Sequence, residues 1–465
     1  MKNKLNFHTA IETNSLAAAV IPRIIRLNVD SLPLSLEPSK LSDIVSNWLL
    51  QFLGQRLVKT NDSGIIKGDL ALEWEVLNEG KVFRFKLRTG VCFDDGIVLD
   101  SHAVKSAIEK ARTNSANYSF YLDRITSVET PSADTIIINL DIPMPGFLSV
   151  LGEPMFTIAK ECGNEICFSG GYSIQKKDQH QLLIKRNSDG QLFQFEEMDF
   201  ATAKEKFENG NLELLRSYGA GNVAEVLGIK SKNKITFDHA ISYFVAFNSS
   251  RPDLNSTEKR YELSSALNLK HAAKWLEVSG LRQSNSFMSP GMFPNANEFA
   301  KDPHVQSQKK FLKKLKVLVL SSHEIDELAK SIFSEIPSDF HSIDKSEFVA
   351  AMRNGDYDAI VIGYSVTLKG IDYLSIFFHS SSLHNLARVK LPVADELVES
   401  GWLSNSDEAK REAIESLLQL NHTEKFYIPI AHVPLVFAVA DGVEANFDGD
   451  KCTTILNLDK IKIVN

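Results

Sequence analysis

The sequence predicts an α/β protein with more than one domain. Three observations lead there. At 465 residues the chain exceeds the usual size of one hydrophobic core. Along it the apolar spacing switches repeatedly between a period of two and a period of 3.6, the pattern of alternating strands and helices. The run Ala359–Ile362 is short, apolar and β-branched between Gly355 and Gly363, which fits a strand buried on both faces.

In chain order, residues 24–30 read as a first strand running into a segment where Pro33 and Pro38 forbid a helix. Ile44, Val45, Trp48, Leu49, Phe52 and Leu53 then form one helical face, with Ser42 or Asp43 as cap. After a turn at Asn61-Asp62-Ser63-Gly64, a smaller α/β unit spans residues 55–145. In it Phe83, Phe85 and Leu87 alternate with Arg84, Lys86 and Arg88 on a strand. Asp100 and Ser101 can cap a helix bearing Val104, Ala107, Ile108 and Ala111, and Thr135–Leu140 is a second strand. Gln181–Arg186 is a strand leading through a polar stretch to Ala201–Phe207. Ile241–Phe247 and residues 314–320 read as buried strands, 325–336 and 409–420 as helices, and 426–439 as an apolar run broken by Pro429 and Pro434.

Composition narrows the function. Hydrophobic residues at 43% and charged residues at 24% are ordinary for a globular protein, and no apolar run reaches the length of about 18 needed to span a membrane. A net charge of −8 argues against a nucleic-acid partner, which calls for a basic face. The opening residues carry no apolar core of an export signal, and Leu16–Ile21 is too short. Two readings stay open, an exported protein or one kept in the cytoplasm. Cys162 and Cys167 enclose four residues and suit either a local disulfide or two free thiols.

Catalytic signatures are missing. There is no phosphate-binding Gly-x-x-x-x-Gly-Lys-Ser/Thr loop and no Gly-x-Ser-x-Gly elbow. His323-Glu324 lacks the second histidine of a zinc helix, His180 has too few soft ligands nearby for zinc, and Asp94-Asp95-Gly96 is explained as a turn. No metal, cofactor or enzymatic activity is expected. What does suggest chemistry is the polar segment after the 359–362 strand, with Tyr364, Ser365, Thr367, Lys369 and Asp372. Open α/β sheets bind small ligands just past the carboxyl ends of such strands.

Six segments, in order, resemble the family 5 extracellular solute-binding proteins, the receptors for oligopeptides, dipeptides and nickel in ABC importers. They are Leu27 to Pro38, Asp69 to Val76, Phe83 to Gly96, Phe244 to Leu267, Gly355 to Ala359, and Tyr427-Ile428-Pro429. The resemblance implies a two-lobed periplasmic-binding-protein-like fold (class C, type II), with the extra α/β subdomain in the first lobe. First-lobe segments would be 24–54, 146–243 and 438–465, and the second lobe 244–437. It also implies a cleft that closes on its ligand by hinge motion. Carried over by position, ligand contacts fall at Asp30, Ser31 and Leu32, at Asn248 and Ser249, and at Tyr364, Ser365 and Thr367, with Tyr172 and Asp372 as further candidates.

This chain departs from the family pattern at the cleft. Tyr364 replaces a tryptophan. Thr367 occupies the place of the aspartate that pairs with a peptide's ammonium, and a hydroxyl gives about half the strength of a charge-assisted bond. Asp372 could substitute, or cap the following helix. The Phe168–Tyr172 segment keeps the flexibility of the family's Gly-Thr-Gly-Pro-Tyr hinge without its proline. The expected function is a monomeric, non-enzymatic receptor for a peptide-like or small polar ligand, delivering it to ABC permease membrane subunits outside the cytoplasm. The alternative is a cytoplasmic ligand-sensing domain of a transcription regulator.

Overall fold

The computed structural model describes residues 23–464 except 42, 61–64, 115–118, 232, 279–280, 282, 290–291, 294–295, 297–312, 321–322, 365–369, 405 and 446–455. The Asn61–Gly64 turn, Ser42, Ser365, Thr367 and Lys369 therefore lie outside the described residues.

A ten-stranded sheet organises the chain. From edge to edge its strands are Tyr172–Lys177, Gln181–Arg186, Leu192–Glu197, Ile24–Val29, Leu214–Arg216, Tyr427–Val439, Asn233–Phe247, Ala359–Tyr364, Leu315–Leu320 and Ser338–Ile343. Ile24–Val29 is parallel to both of its neighbours, and Ala359–Tyr364 is parallel to Leu315–Leu320. Between these two parallel portions run two long antiparallel strands, Asn233–Phe247 and Tyr427–Val439. The early part of the first pairs with the end of the second, beside Leu214–Arg216; its later part pairs with Ala359–Tyr364.

Two readings from sequence need correction here. Residues 192–197 looked like a polar stretch, yet Phe193 and Phe195 alternate inward at 0% exposure and the segment forms a strand beside Ile24–Val29. Pro429 and Pro434 do not break the last apolar run. The pairing register shifts between Phe237 and Ile241 and again between Tyr243 and Phe244, and the prolines fall at these irregularities. There a missing N–H removes no ladder hydrogen bond. The partner strand also starts earlier than Ile241, at Asn233.

The small subdomain is an antiparallel sheet in the order Ala71–Leu77, Val82–Leu87, Thr135–Leu140, Ile125–Ser132. Phe83 and Phe85 are fully buried beneath the Ser101–Asn114 helix, whose first turn is capped by Asp100 Oδ1 accepting from the Ala103 amide at 3.0 Å. Phe147, Val150 and Phe156 belong to the same core, so the unit packs beyond residue 145. The Ile44–Leu53 helix is capped by Asp43, which accepts from Ser46 N at 2.8 Å. Cys162 and Cys167 form a disulfide. Gly170 is required by contact more than by flexibility: a Cβ there would lie 2.3 Å from the Phe52 carbonyl oxygen and 2.5 Å from that of Leu53.

Candidate functional site

Strand directions locate the site. Leu214–Arg216 runs antiparallel to Tyr427–Val439 and ends opposite Phe437, pointing toward the middle of the long strands. Ala359–Tyr364 runs antiparallel to Asn233–Phe247 and ends opposite Ser242, which itself pairs with His432. The carboxyl ends of both parallel portions thus converge on the same stretch, near Phe237–Ser242 and His432–Phe437. Ile24–Val29, flanked by parallel strands on both sides, is the kind of switch point where α/β sheets open a crevice.

On the first side, Asp30 follows the end of its strand and accepts a 3.0 Å ion pair from Arg216 Nη1. Arg216 is held through its backbone and by ring contacts, while its buried Nε has no hydrogen-bond partner among the described residues. Asn28 Oδ1 accepts from its amide at 2.7 Å, Asn28 Nδ2 donates to its carbonyl at 3.0 Å, and the guanidinium lies 5.1 Å and 5.4 Å from the ring centres of Trp48 and Tyr218. Its side chain is 5% exposed while that of Asp30 is 43% exposed, so the carboxylate faces solvent with the arginine behind it. Ser31 is half-buried beside it. The Leu32 amide donates to Glu197 Oε2 at 2.9 Å, which fixes the turn after the strand.

On the second side, aromatic rings dominate. Phe244 and Phe287 each meet Phe377 edge to face, at 5.5 Å and 5.1 Å, and lie tilted to each other at 5.3 Å, with Tyr364 and Tyr373 each 5.1 Å from Phe377. The Tyr364 hydroxyl hydrogen-bonds His384 Nδ1. His432 Nε2 donates to the Ser286 carbonyl at 3.0 Å, which leaves its Nδ1 to accept from the Ser242 hydroxyl at 3.0 Å. Among the described residues, three buried atoms here have no hydrogen-bond partner: Ser286 Oγ, Tyr373 OH and His384 Nε2. Burial pushes both tyrosine phenols up, Ser242 opposing at Tyr373, and lowers His384 to about 4, so the imidazole is neutral at physiological pH.

A third contact ties the small subdomain to the second side. Tyr121 OH donates to Asp372 Oδ1, and its ring lies 4.8 Å from that of Trp402. Arg124 and Glu399 pair nearby at 3.5 Å. Asp372 sits in the first turn of the Gly370–Phe378 helix, and burial pushes its carboxyl up against the Tyr121 hydrogen bond.

Of the residues expected from sequence, Asp30, Ser31, Leu32 and Tyr364 flank the convergence. Asn248 and Ser249 do not. Phe247 pairs with Ala359, so they stand at the amino end of the strand whose carboxyl end carries Tyr364, roughly 17 Å away. Asn248 is fully buried and fully used: its amide donates to the carbonyls of Gly355 and Tyr357, and its oxygen accepts from Ser250. Ser249 Oγ donates to the carbonyls of Ala387 and Arg388. Tyr172 lies on the outermost strand, packed on Phe52 and Phe193 with its hydroxyl donating to Asp459 at 2.7 Å. It is a core residue of that edge. Arg216, Tyr121, Ser286, Tyr373 and His384 were missed. The aromatic density of residues 373–378 was the one visible hint, since long-range pairing brings the others together.

Among solved structures, the ABC transporter-associated periplasmic binding protein DppA from Helicobacter pylori in complex with the peptide STSA superposes with a TM-score of 0.83 at 14% identity, covering 95% of this chain and 98% of that one. AgaA of A. tumefaciens R10, in complex with agropinic acid, gives 0.81 at 18% identity, covering 95% and 99%. These likenesses establish the fold, that of the cluster C periplasmic binding proteins. In sequence, the glutathione-binding protein GsiB of Salmonella paratyphi A is 23% identical over 263 residues, 52% of this chain. The chain spans about half the length of that curated relative (51%). The profile described as bacterial extracellular solute-binding proteins, family 5 Middle, matches residues 66–338, more than half of the sequence, and the chain belongs to that family.

Proposed function

We propose that the protein is the solute receptor of an ABC importer and holds a peptide-like or other small polar ligand where the strand ends converge. Binding proteins of this family are non-catalytic. The observation that carries the reading is the convergence itself. Two parallel portions aim their carboxyl ends at one stretch of two shared strands, and that stretch contains the register shift between Phe237 and Ile241. A crevice bounded by two bodies joined through such strands suits hinge closure, with a ligand stabilising the closed population.

The reading takes a first lobe (24–54, 146–243, 438–465) with its subdomain (55–145, its core reaching on to Phe156) and a second lobe (244–437), and the pairing of the long strands supports it. Relatives by fold hold the peptide STSA or agropinic acid, and a relative by sequence is a glutathione-binding protein. A small ligand with amide or carboxyl groups is the common denominator. The family is extracellular, and the Cys162–Cys167 disulfide suits an oxidising compartment, favouring a site of action outside the cytoplasm over a cytoplasmic regulator. A monomer docking on permease membrane subunits completes the proposal.

Native mass spectrometry and thermal shift on the purified protein with pools of free and end-blocked peptides test it. A ligand at 100 times its dissociation constant adds about 2.7 kcal/mol. Silence across peptides, opines and metal chelates would overturn the receptor reading.

A further inference from the structure

We propose that the second-side wall recognises an uncharged, flat, hydrogen-bonding group such as an amide or lactam, and that Tyr373, Ser286 and His384 are the specificity-determining residues. The inference deepens the receptor reading and rests on it.

Buried polar atoms without partners are rare because each forfeits its hydrogen bonds to water. Here three cluster around one set of rings. Tyr373 is 0% exposed, Ser286 3% and His384 9%, and each carries one atom with no hydrogen-bond partner among the described residues. The connections among them are direct. Phe287, next to Ser286, lies 5.9 Å from Tyr373, and Tyr364, bonded to His384, shares the Phe377 ring with Tyr373. Whichever of Tyr364 and His384 Nδ1 holds the proton between them, Nε2 is left with one unused donor or acceptor. All three groups are neutral in this setting and surround a flat apolar surface. That combination matches a planar group bearing carbonyl or N–H functions, which stacks on rings and fills the vacant hydrogen bonds.

The same wall is poorly built for an ammonium group. From Gly363 to Ile371 the sequence contains no acid. The carboxylate that follows, Asp372, is engaged by the Tyr121 hydroxyl. A cation placed here would lose its hydration against neutral hydroxyls and ring faces without gaining an unengaged carboxylate from this helix.

The test compares linear Ala-Phe, with both charges, against cyclo(Ala-Phe), its neutral lactam counterpart, by calorimetric titration of the wild type, Tyr373→Phe and Ser286→Ala. The lactam should bind at least about tenfold more tightly than the linear peptide, and each variant should lose about five- to tenfold for the lactam while changing Ala-Phe less than about twofold. Tyr373→Phe deletes a hydroxyl whose neighbour, the Ser242 hydroxyl, is already bonded to His432, so the unliganded melting temperature should stay level or rise. A fall would mean that the phenol already has a partner and would overturn the proposal. So would equal or inverted preference between the two probes, or lactam binding that both variants leave intact. Tight binding of the charged peptide alone would sink this inference while sustaining the receptor; failure of both probes and of the whole peptide pool would sink the receptor reading, and this one with it.

Discussion

Tyr121→Phe is the sharpest mechanical test of closure. In the structure the Tyr121 side chain is 1% exposed and its hydroxyl reaches from the small subdomain to Asp372 on the Gly370–Phe378 helix. Phenylalanine keeps the ring against Trp402 and removes one atom. A hydrogen bond to a charged group contributes about 1.5–3 kcal/mol, and Asp372 is already burdened by burial, so its loss should fall at the upper end. If the contact exists only when the crevice is shut, that energy comes off the closed state alone. The apparent affinity for a captured ligand then weakens by about 10- to 100-fold, mostly through faster dissociation. The Arg124–Glu399 pair, about one-third exposed on both sides, adds little. Stopped-flow fluorescence with Trp402 as reporter, alongside equilibrium titration, reads both quantities. Unchanged affinity together with a lowered melting temperature would refute the reasoning, because the contact would then be permanent.

Further outcomes follow from single sites. Acidification from pH 6.5 toward 4 should destabilise the fold by up to about 3 kcal/mol through His384, because in that window the unfolded chain binds a proton that the buried imidazole, lowered to about 4, refuses. In His384→Gln, urea titrations across that range should show a correspondingly shallower pH slope. Asp30→Asn removes the partner of an almost fully buried guanidinium and should cost about 2–3 kcal/mol in chemical denaturation, less than a wholly buried pair because Asp30 is partly solvated. Gly170→Ala drives a methyl into two backbone carbonyls and should cost at least about 1–3 kcal/mol by the same assay. Reduction of Cys162–Cys167 opens only a short loop, with a sequence separation of 5, and should lower stability by no more than about 2 kcal/mol.

Much of the architecture was legible because burial imposes periodicity. Phe83, Phe85 and Leu87 had to share a face, and Ala359–Ile362 had to be enclosed on both sides. The strand at Leu192–Glu197 was hidden by glutamates and a glutamine around two phenylalanines. Prolines 429 and 434 argued for a break because local rules cannot know where a register shift will fall. Positions at or just past a strand's carboxyl end were readable, as Asp30 and Tyr364 illustrate. Asn248 and Ser249 were misplaced because the direction of Ala359–Tyr364 relative to Asn233–Phe247 is a tertiary fact, and it sends Phe247 to the far end. Arg216, Tyr121 and His384 carry no local mark. They matter only through partners 186, 251 and 20 residues away in sequence, Asp30, Asp372 and Tyr364.

The central claim is that two bodies shut on a ligand about the middle of the paired long strands. Spin labels at the exposed positions Asp123→Cys and Glu396→Cys, in a Cys92→Ser, Cys452→Ser background, stand beside the Arg124–Glu399 pair. Double electron–electron resonance should give a long, broad distance distribution for the unliganded protein, collapsing to one short distance when a binder from the peptide pools saturates it. An identical distribution with and without that bound ligand would contradict the account.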